Sequence, residues 1–387
     1  MDEGGKEKIM LRSSVEELLR QCTIRFVKSQ IMPRARKWDE NKLYPLENMR
    51  KFAELGLLGL RIPKQYGGSG RDLLDAVIVL EQIAKADAST AVNLHVQLNA
   101  TPLYITLYGS EKVKRKFLPG LVSGKVLFSM AQTEPEAGSN LTELRTLAKD
   151  EGSHFVVNGT KSMITMGGHA NVHLVYLRFE DDNSIGCLLL EKETKGFSVG
   201  KSEDFLGLRG LGSAELIFQD CLVPKENLLL KGPGSLKKML ALFNGTRVGL
   251  ASISLGIAEA AFEEALKYSK MRIISGKPLI AFQGLQWKLA DMAINVEAMK
   301  HLIYSAAKDK KLNGFPDQFT SSAARIFASD GAVKITNTAL DLFGGYGYSK
   351  EFPMERYLRE AKGMTFVGGT TDVLRNAVGS YLKKKNI

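Results

Sequence analysis

The chain has 387 residues, too long for one small core and long enough for two or three domains. Charged residues make up 25% and hydrophobic residues 44%, with a net charge of +11, which fits a globular protein with a lysine-rich surface. No dense basic run carries interleaved aromatics, which argues against nucleic-acid binding, and Cys22, Cys187 and Cys221 form no CxxC pair, which argues against a zinc site or a disulfide framework.

The first residues, "MDEGGKEKIMLRSSVEELLR", are charged and lack the apolar centre of a signal peptide. No stretch approaches the roughly 20 apolar residues of a membrane span, and a cytoplasmic location is expected. "SVEELLRQCTIRFVKSQIMPRA" spaces apolar residues helically behind a serine cap with glutamate three residues on. "LENMRKFAELGLLGL" repeats the pattern, and "RIPKQYGGSGRD" is a loop by its proline and glycines. "DLLDAVIVLEQIAKA" is apolar on every face and is predicted to be a buried helix. "SEKVKRKFLPGLVSGK" predicts another helix that closes at glycine.

Near Val126 the periodicity changes. "HFVVNGTKSMITM" predicts two strands joined by an Asn-Gly turn, and "VHLVYLRFE", "SIGCLLLEKE" and "AELIFQDCLVP" predict three more. After Pro233, "SLKKMLALFNGTRVGLASISLGIAEAAFEEALKYSKMR", "FQGLQWKLADMAINVEAMKHLIYSAAKDKK" and "SSAARIFASDGAVKITNTALDLFG" predict long packed helices. The predicted fold class is α+β, with an N-terminal helical domain (1–124), a middle antiparallel β domain (125–233) and a C-terminal four-helix bundle (234–387).

No P-loop, HExxH or nucleophile elbow is present, and no strand precedes "GGSGRD", so the common nucleotide-binding folds lack support. Four turns are richer in information. "MAQTEPEAGSNLTELRT" packs hydroxyls, glycine and unencumbered N–H groups into one short stretch, as suits a heterocycle edge or a phosphate. "KSMITMGGHAN" and "LFGGYGYSKEFPMERYLREAK" are similar, and "MTFVGGTTDVLRNAV" sets Gly-Gly-Thr-Thr before a helix. Each alone is also compatible with an ordinary polar turn.

Their order and spacing resemble the acyl-CoA dehydrogenase family over essentially the whole chain, through "AQTEPEAGSN", "GTKSMITMGGHAN", "FNGTRVGLASISLGIAEAAFEEALKYSKMR", "FQGLQWKLADM", "LFGGYGYSKEFPMERYLREAK" and "VGGTTDVLRN". The resemblance implies an FAD enzyme acting on an acyl-CoA thioester, assembled as a homo-oligomer, expected to be a tetramer, and passing electrons to an electron-transfer flavoprotein. It places Gln132, Thr133, Gly138, Ser139, Met163 and Thr165 along the flavin, with Met163 where relatives carry Trp or Phe. Arg272 and Gln283 match residues that grip the FAD of a neighbouring subunit. Asp341 stands where many relatives have Gln, Ser275 where many have Phe, and Gly345 matches a close backbone approach. Thr370 and Asp372 fall on the flavin side of the last turn. On the substrate side the resemblance places Ser139, Asn93, His95, Gln97, Asn244, Arg247 and Gly369.

One residue is missing. In most family members a Glu immediately before the Gly-Thr of the last turn removes the proton next to the thioester, and here that position is Gly368. In one branch the Glu precedes the Arg of the first long C-terminal helix, and here that position is Thr246. A general base is worth typically about 10²–10⁴-fold, so its loss predicts slow ordinary dehydrogenation. Three readings follow. His95 supplies the base, although a packing role for this histidine carries more weight. The reaction needs no such proton, as in 1,4-dehydrogenation through a distant proton, giving a conjugated diene, or β-elimination such as desulfination. Or the chain is a silent flavoprotein paralogue or an N-oxygenase.

Overall fold

The computed structural model describes residues 14–310 and 314–384. Helix α1 (Ser14–Phe26) passes through a π turn at Val27–Ile31 into α2 (Met32–Glu40), and α3 (Leu46–Glu54) follows. Helix α4 (Leu73–Ala84) is buried at all its positions, as its apolar composition requires. Asp72 caps it, accepting from Leu74 N (3.0 Å) and Asp75 N (3.4 Å). Helix α5 (Ala88–Asn99), capped by Asp87, is also buried throughout, although it carries Asn93, His95, Gln97 and Asn99. Helices α6 (Thr101–Tyr108) and α7 (Glu111–Val122) complete this unit.

Strands β1 (Phe128–Ala131), β2 (Leu147–Asp150), β3 (His154–Ile164), β4 (Val172–Phe179), β5 (Ile185–Glu191), β6 (Phe197–Ser202), β7 (Ala214–Pro224) and β8 (Leu228–Leu230) form one eight-stranded sheet. Its order is β6-β7-β3-β2-β4-β5-β8, with β1 alongside β4. Most pairs are antiparallel, but β1 and β2 both run parallel to β4, which the antiparallel expectation did not foresee. The expected Asn-Gly turn is also absent. Asn158 and Gly159 lie inside the single strand β3, at a register shift against β7. Gly159 adopts φ 145°, and a Cβ there would come within 2.6 Å of Thr146 Oγ1, so glycine serves close strand packing rather than chain reversal.

The C-terminal helices are α8 (Ser235–Met271), α9 (Gln283–Lys308), α10 (Gln318–Phe343), the single turn α11 (Gly345–Tyr348), α12 (Met354–Met364) and α13 (Thr371–Lys384). Helix α8 packs on α9 and α10 within the bundle and on α4 and α5 of the first domain. Small residues permit this: a Cβ on Gly256 would overlap the Glu81 carbonyl of α4. Contrary to the sequence expectation, α8 is long and apolar enough to cross a membrane, but 89% of its most apolar stretch is buried inside the protein.

Candidate active site

One turn of α8, residues 246–250, touches Asn99 and His95 of α5 on one side and Gly368 on the other. Gly368 lies in the turn between α12 and α13 at φ +72°, followed by Gly369 at φ +99°. Both values lie in the left-handed region that glycine occupies without cost, which accounts for the pair. A Cβ on Gly368 would run into Leu250 Cδ1, so Leu250 occupies the space in front of this position. The N–H groups of Gly368 and Gly369 have no hydrogen-bond partner among the described residues, which leaves two donors at the turn. The fully buried Arg325 of α10 holds this turn from behind, donating to the carbonyls of Met364 and Val367, the latter at 2.9 Å.

Thr246, the other position that the resemblance singles out, donates its hydroxyl to the Asn99 carbonyl at 2.8 Å, closing the C-terminus of α5 onto α8. Arg247 is buried, with Nη1 on Asn244 Oδ1 at 2.9 Å and no partner for Nε. It faces no carboxylate among the described residues, and burial lowers its pKa to about 10.

His95 meets α8 at Gly249, where a Cβ would lie 2.6 Å from the His95 ring and from Asn99 Nδ2. Burial, together with the charges of Arg325 and Arg61, lowers its pKa to about 3. Arg61 Nη1 donates to Asn99 Oδ1 at 2.5 Å, and Asn99 Nδ2 lies 3.1 Å from His95 Nδ1. Because Arg only donates, Asn99 is oriented with its oxygen toward Arg61, and its amide donates to Nδ1. The ring proton therefore sits on Nε2, which is buried without a partner. A ring with no lone pair to offer at its open nitrogen is poorly arranged as a base.

The other polar residues of α5 serve the domain interface. Gln97 spends its amide on both backbone groups of Phe128 in β1, at 2.8 and 2.9 Å. Asn93 donates to the Gly210 carbonyl at 3.0 Å. Gln97 thus has a fixed structural duty that the expectation of substrate contact did not include.

Gln132, Thr133, Gly138 and Ser139 lie on the loop after β1, which Ser162 N joins to the end of β3 through the Thr133 carbonyl at 2.9 Å. That bond sets Met163 and Thr165 beside the loop, with Met163 60% exposed at φ 59°. The loop is anchored from below by residues the sequence reading missed. Lys161 Nζ donates to the Gln132 carbonyl (3.0 Å) and to Glu134 Oε1 (2.8 Å), and Glu134 also accepts from Arg145 N and Thr146 N. Burial lowers the Lys161 pKa to about 8, against the pull of Glu134. Thr370 Oγ1 accepts from Val373 N at 3.3 Å as a cap of α13, and Asp372 pairs with Arg375 at 2.9 Å.

Arg272, Asp341 and Gly345 converge on one surface cavity of about 620 Å³ that Tyr268, Phe343 and Tyr346 also line. A Cβ on Gly344 or Gly345 would meet nothing, so the floor is open to a ligand. Gln283 opens α9 outside this lining and is exposed, and Ser275 sits at φ 49°. An open aromatic cavity with an arginine suits one end of a dinucleotide, and a donor-rich loop on the β domain suits a heterocycle edge or a phosphate.

Helical, β and helical units around such a loop define the class of flavin-dependent dehydrogenases. Three family models match in order: the acyl-CoA dehydrogenase N-terminal domain at residues 13–125, middle domain at 129–221 and C-terminal domain at 236–382. The chain belongs to the acyl-CoA dehydrogenase family and is an FAD-dependent oxidoreductase. It is 38% identical over 380 residues to an acyl-CoA dehydrogenase of Bacillus subtilis, covering 97% of this chain and 98% of that one. Butyryl-CoA dehydrogenase from Megasphaera elsdenii superimposes with a TM-score of 0.93 at 35% identity, covering 97% and 99%. A glutaryl-CoA dehydrogenase from Mycobacterium smegmatis, solved in complex with FADH2, superimposes at 0.91 with 26% identity, covering 98% and 97%.

Sequence signals existed for some of the missed residues. Asn99 stands four residues after His95 on a buried helix, and Arg325 interrupts the small residues of "SSAARIFAS". Nothing in the sequence marks Leu250, Arg61 or the Lys161–Glu134 pair, which become legible only through contacts between segments distant in the chain.

Proposed function

We propose that this chain oxidises or rearranges an unusual acyl-CoA thioester without the carboxylate that removes the α-proton in most of its relatives. The observation that carries this reading is Gly368 with Leu250 packed in front of it, while the other branch's position, Thr246, is bonded to the Asn99 carbonyl. FAD, held by the Gln132–Ser139 loop of one subunit and the Arg272 cavity of a neighbouring subunit, would supply hydride acceptance when bound. The N–H groups of Gly368 and Gly369 would polarise the thioester carbonyl, aided by the N-terminal end of α13. Arg247 and Asn244 would line the substrate side. The proposed electron acceptor is an electron-transfer flavoprotein and the proposed assembly a homotetramer, both on the family resemblance.

A second reading is favoured by the same vacancy: distant-proton dehydrogenation, or hydrolytic desulfination, in which a C–S bond breaks, carbon takes up a proton and sulfite leaves with the oxygen of water; neither removes a proton from the α-carbon. Anaerobic mixing of the flavin-loaded protein with saturated, unsaturated, cyclic and sulfur-bearing thioesters tests both. Flavin bleaching by the unsaturated or cyclic members, and product release from the sulfur-bearing ones, is expected to outpace reaction with butyryl- or octanoyl-CoA. Rapid bleaching by the simple saturated thioesters would refute the missing-base reading, and inertness toward the whole panel would favour a silent paralogue or an N-oxygenase.

A further inference from the structure

The polar relay Arg61–Asn99–His95 lies against the same turn of α8 that faces Gly368. Thr246 and Gly249 touch Asn99 and His95, while Leu250 touches Gly368. The relay ends in donors without acceptors. His95 Nε2 carries the ring proton and Arg61 Nε its own, and both are buried without a partner. His95 is 2% exposed. Neither Arg61 nor Arg325, whose charges both reach His95, forms an ion pair with a carboxylate among the described residues, although Asp72 acts on Arg61 and Asp330 on Arg325 over a longer range. Buried donors left unmatched beside positive charge are costly unless an acceptor arrives, and an oxyanion satisfies both requirements. An alkyl chain end would leave them unmet.

We infer that Arg61, Asn99 and His95 form the far wall of the acyl site and select an acyl group ending in a carboxylate. This rests on the acyl-CoA reading above and names its substrate class. His95 then acts as a neutral donor to the ligand carboxylate. Asn99 is a positioning residue, since it fixes the ring tautomer through Nδ1 while its carbonyl ties α5 to Thr246.

Calorimetric titration of the flavin-loaded protein separates the possibilities, with succinyl-, glutaryl- and adipyl-CoA set against butyryl-, pentanoyl- and hexanoyl-CoA. At the best chain length the carboxylate form is expected to bind about ten- to a hundredfold tighter than its alkyl partner, the worth of a charge-assisted hydrogen bond. Arg61→Met and His95→Leu should abolish that preference. Asn99→Asp, nearly isosteric and so the safest for folding, should place a competing carboxylate on Arg61 and weaken the dicarboxylic thioesters selectively. Equal affinity for the two series, or a preference unchanged in Arg61→Met and Asn99→Asp, would overturn the inference while leaving the acyl-CoA reading intact. Binding of neither series would overturn the acyl-CoA reading itself.

Discussion

Leu250 and Gly368 face each other across the α8 turn, and a side chain at 368 would have to share the space that Leu250 fills. On the family resemblance Gly368 takes the place of the carboxylate, and that place is filled by Leu250 Cδ1 rather than left open.

Restoring the acid accordingly takes two changes. Gly368→Glu alone is expected to lower stability by about 1–2 kcal/mol for the positive φ, and more from the overlap with Leu250. Gly368→Glu with Leu250→Ala makes room and is expected to raise anaerobic flavin reduction by a bound thioester at least about tenfold over wild type. The measurement is stopped-flow bleaching at fixed thioester concentration. A double variant that binds FAD and thioester but reduces no faster would show that the missing base does not limit the rate.

Arg272→Ala should weaken FAD retention, because the guanidinium lines the cavity assigned to one end of the dinucleotide. The expected result is yellow wild-type protein that migrates as an oligomer, and a variant that loses at least half its flavin on gel filtration. A variant that keeps full occupancy would remove Arg272 from the cofactor site.

Lys161→Met strips the buried Glu134 carboxylate of its cation while two backbone N–H groups remain on it. Breaking such a pair from one side costs about 3–5 kcal/mol. Chemical denaturation should show that loss, and flavin affinity should fall with it because the Gln132 carbonyl is released. Lys161→Met combined with Glu134→Gln should recover part of the stability. No recovery would mean that the pair is not what anchors the loop.

Glu360 provides a pH test. Burial, with Asp87 and Asp39 nearby, raises its pKa to about 8, in spite of Arg356 Nη1 at 3.5 Å. Between its unfolded value near 4.5 and about 8, the native state therefore holds the proton more tightly than the unfolded one. This contribution to stability is complete below 4.5 and is lost as the pH rises through about 8. Glu360→Gln removes the titration, so the variant should gain relative to wild type as the pH goes from 6 to 9, by about 2 °C or more in melting temperature. A wild-type to variant difference that stays constant with pH would place the carboxyl in an ionised state throughout.

Sequence by itself determined the helical, β and helical order, the burial of α4 and the long course of α8, because periodicity, capping and small-residue spacing act over a few neighbouring residues. Through the family resemblance it also singled out Gly368 and Thr246 as the two positions where a carboxylate is expected and none stands, since a motif position is legible without coordinates. Only tertiary structure decided that Asn158 and Gly159 form a bulge, because the choice between turn and bulge depends on Thr146, just before β2, pressing against Gly159. The same holds for Gln97, whose amide is claimed by the Phe128 backbone, and for His95, whose proton position follows from Arg61, 34 residues earlier in the chain. Hydrogen-bond direction and close packing depend on partners distant in sequence, and residue pattern alone does not name them.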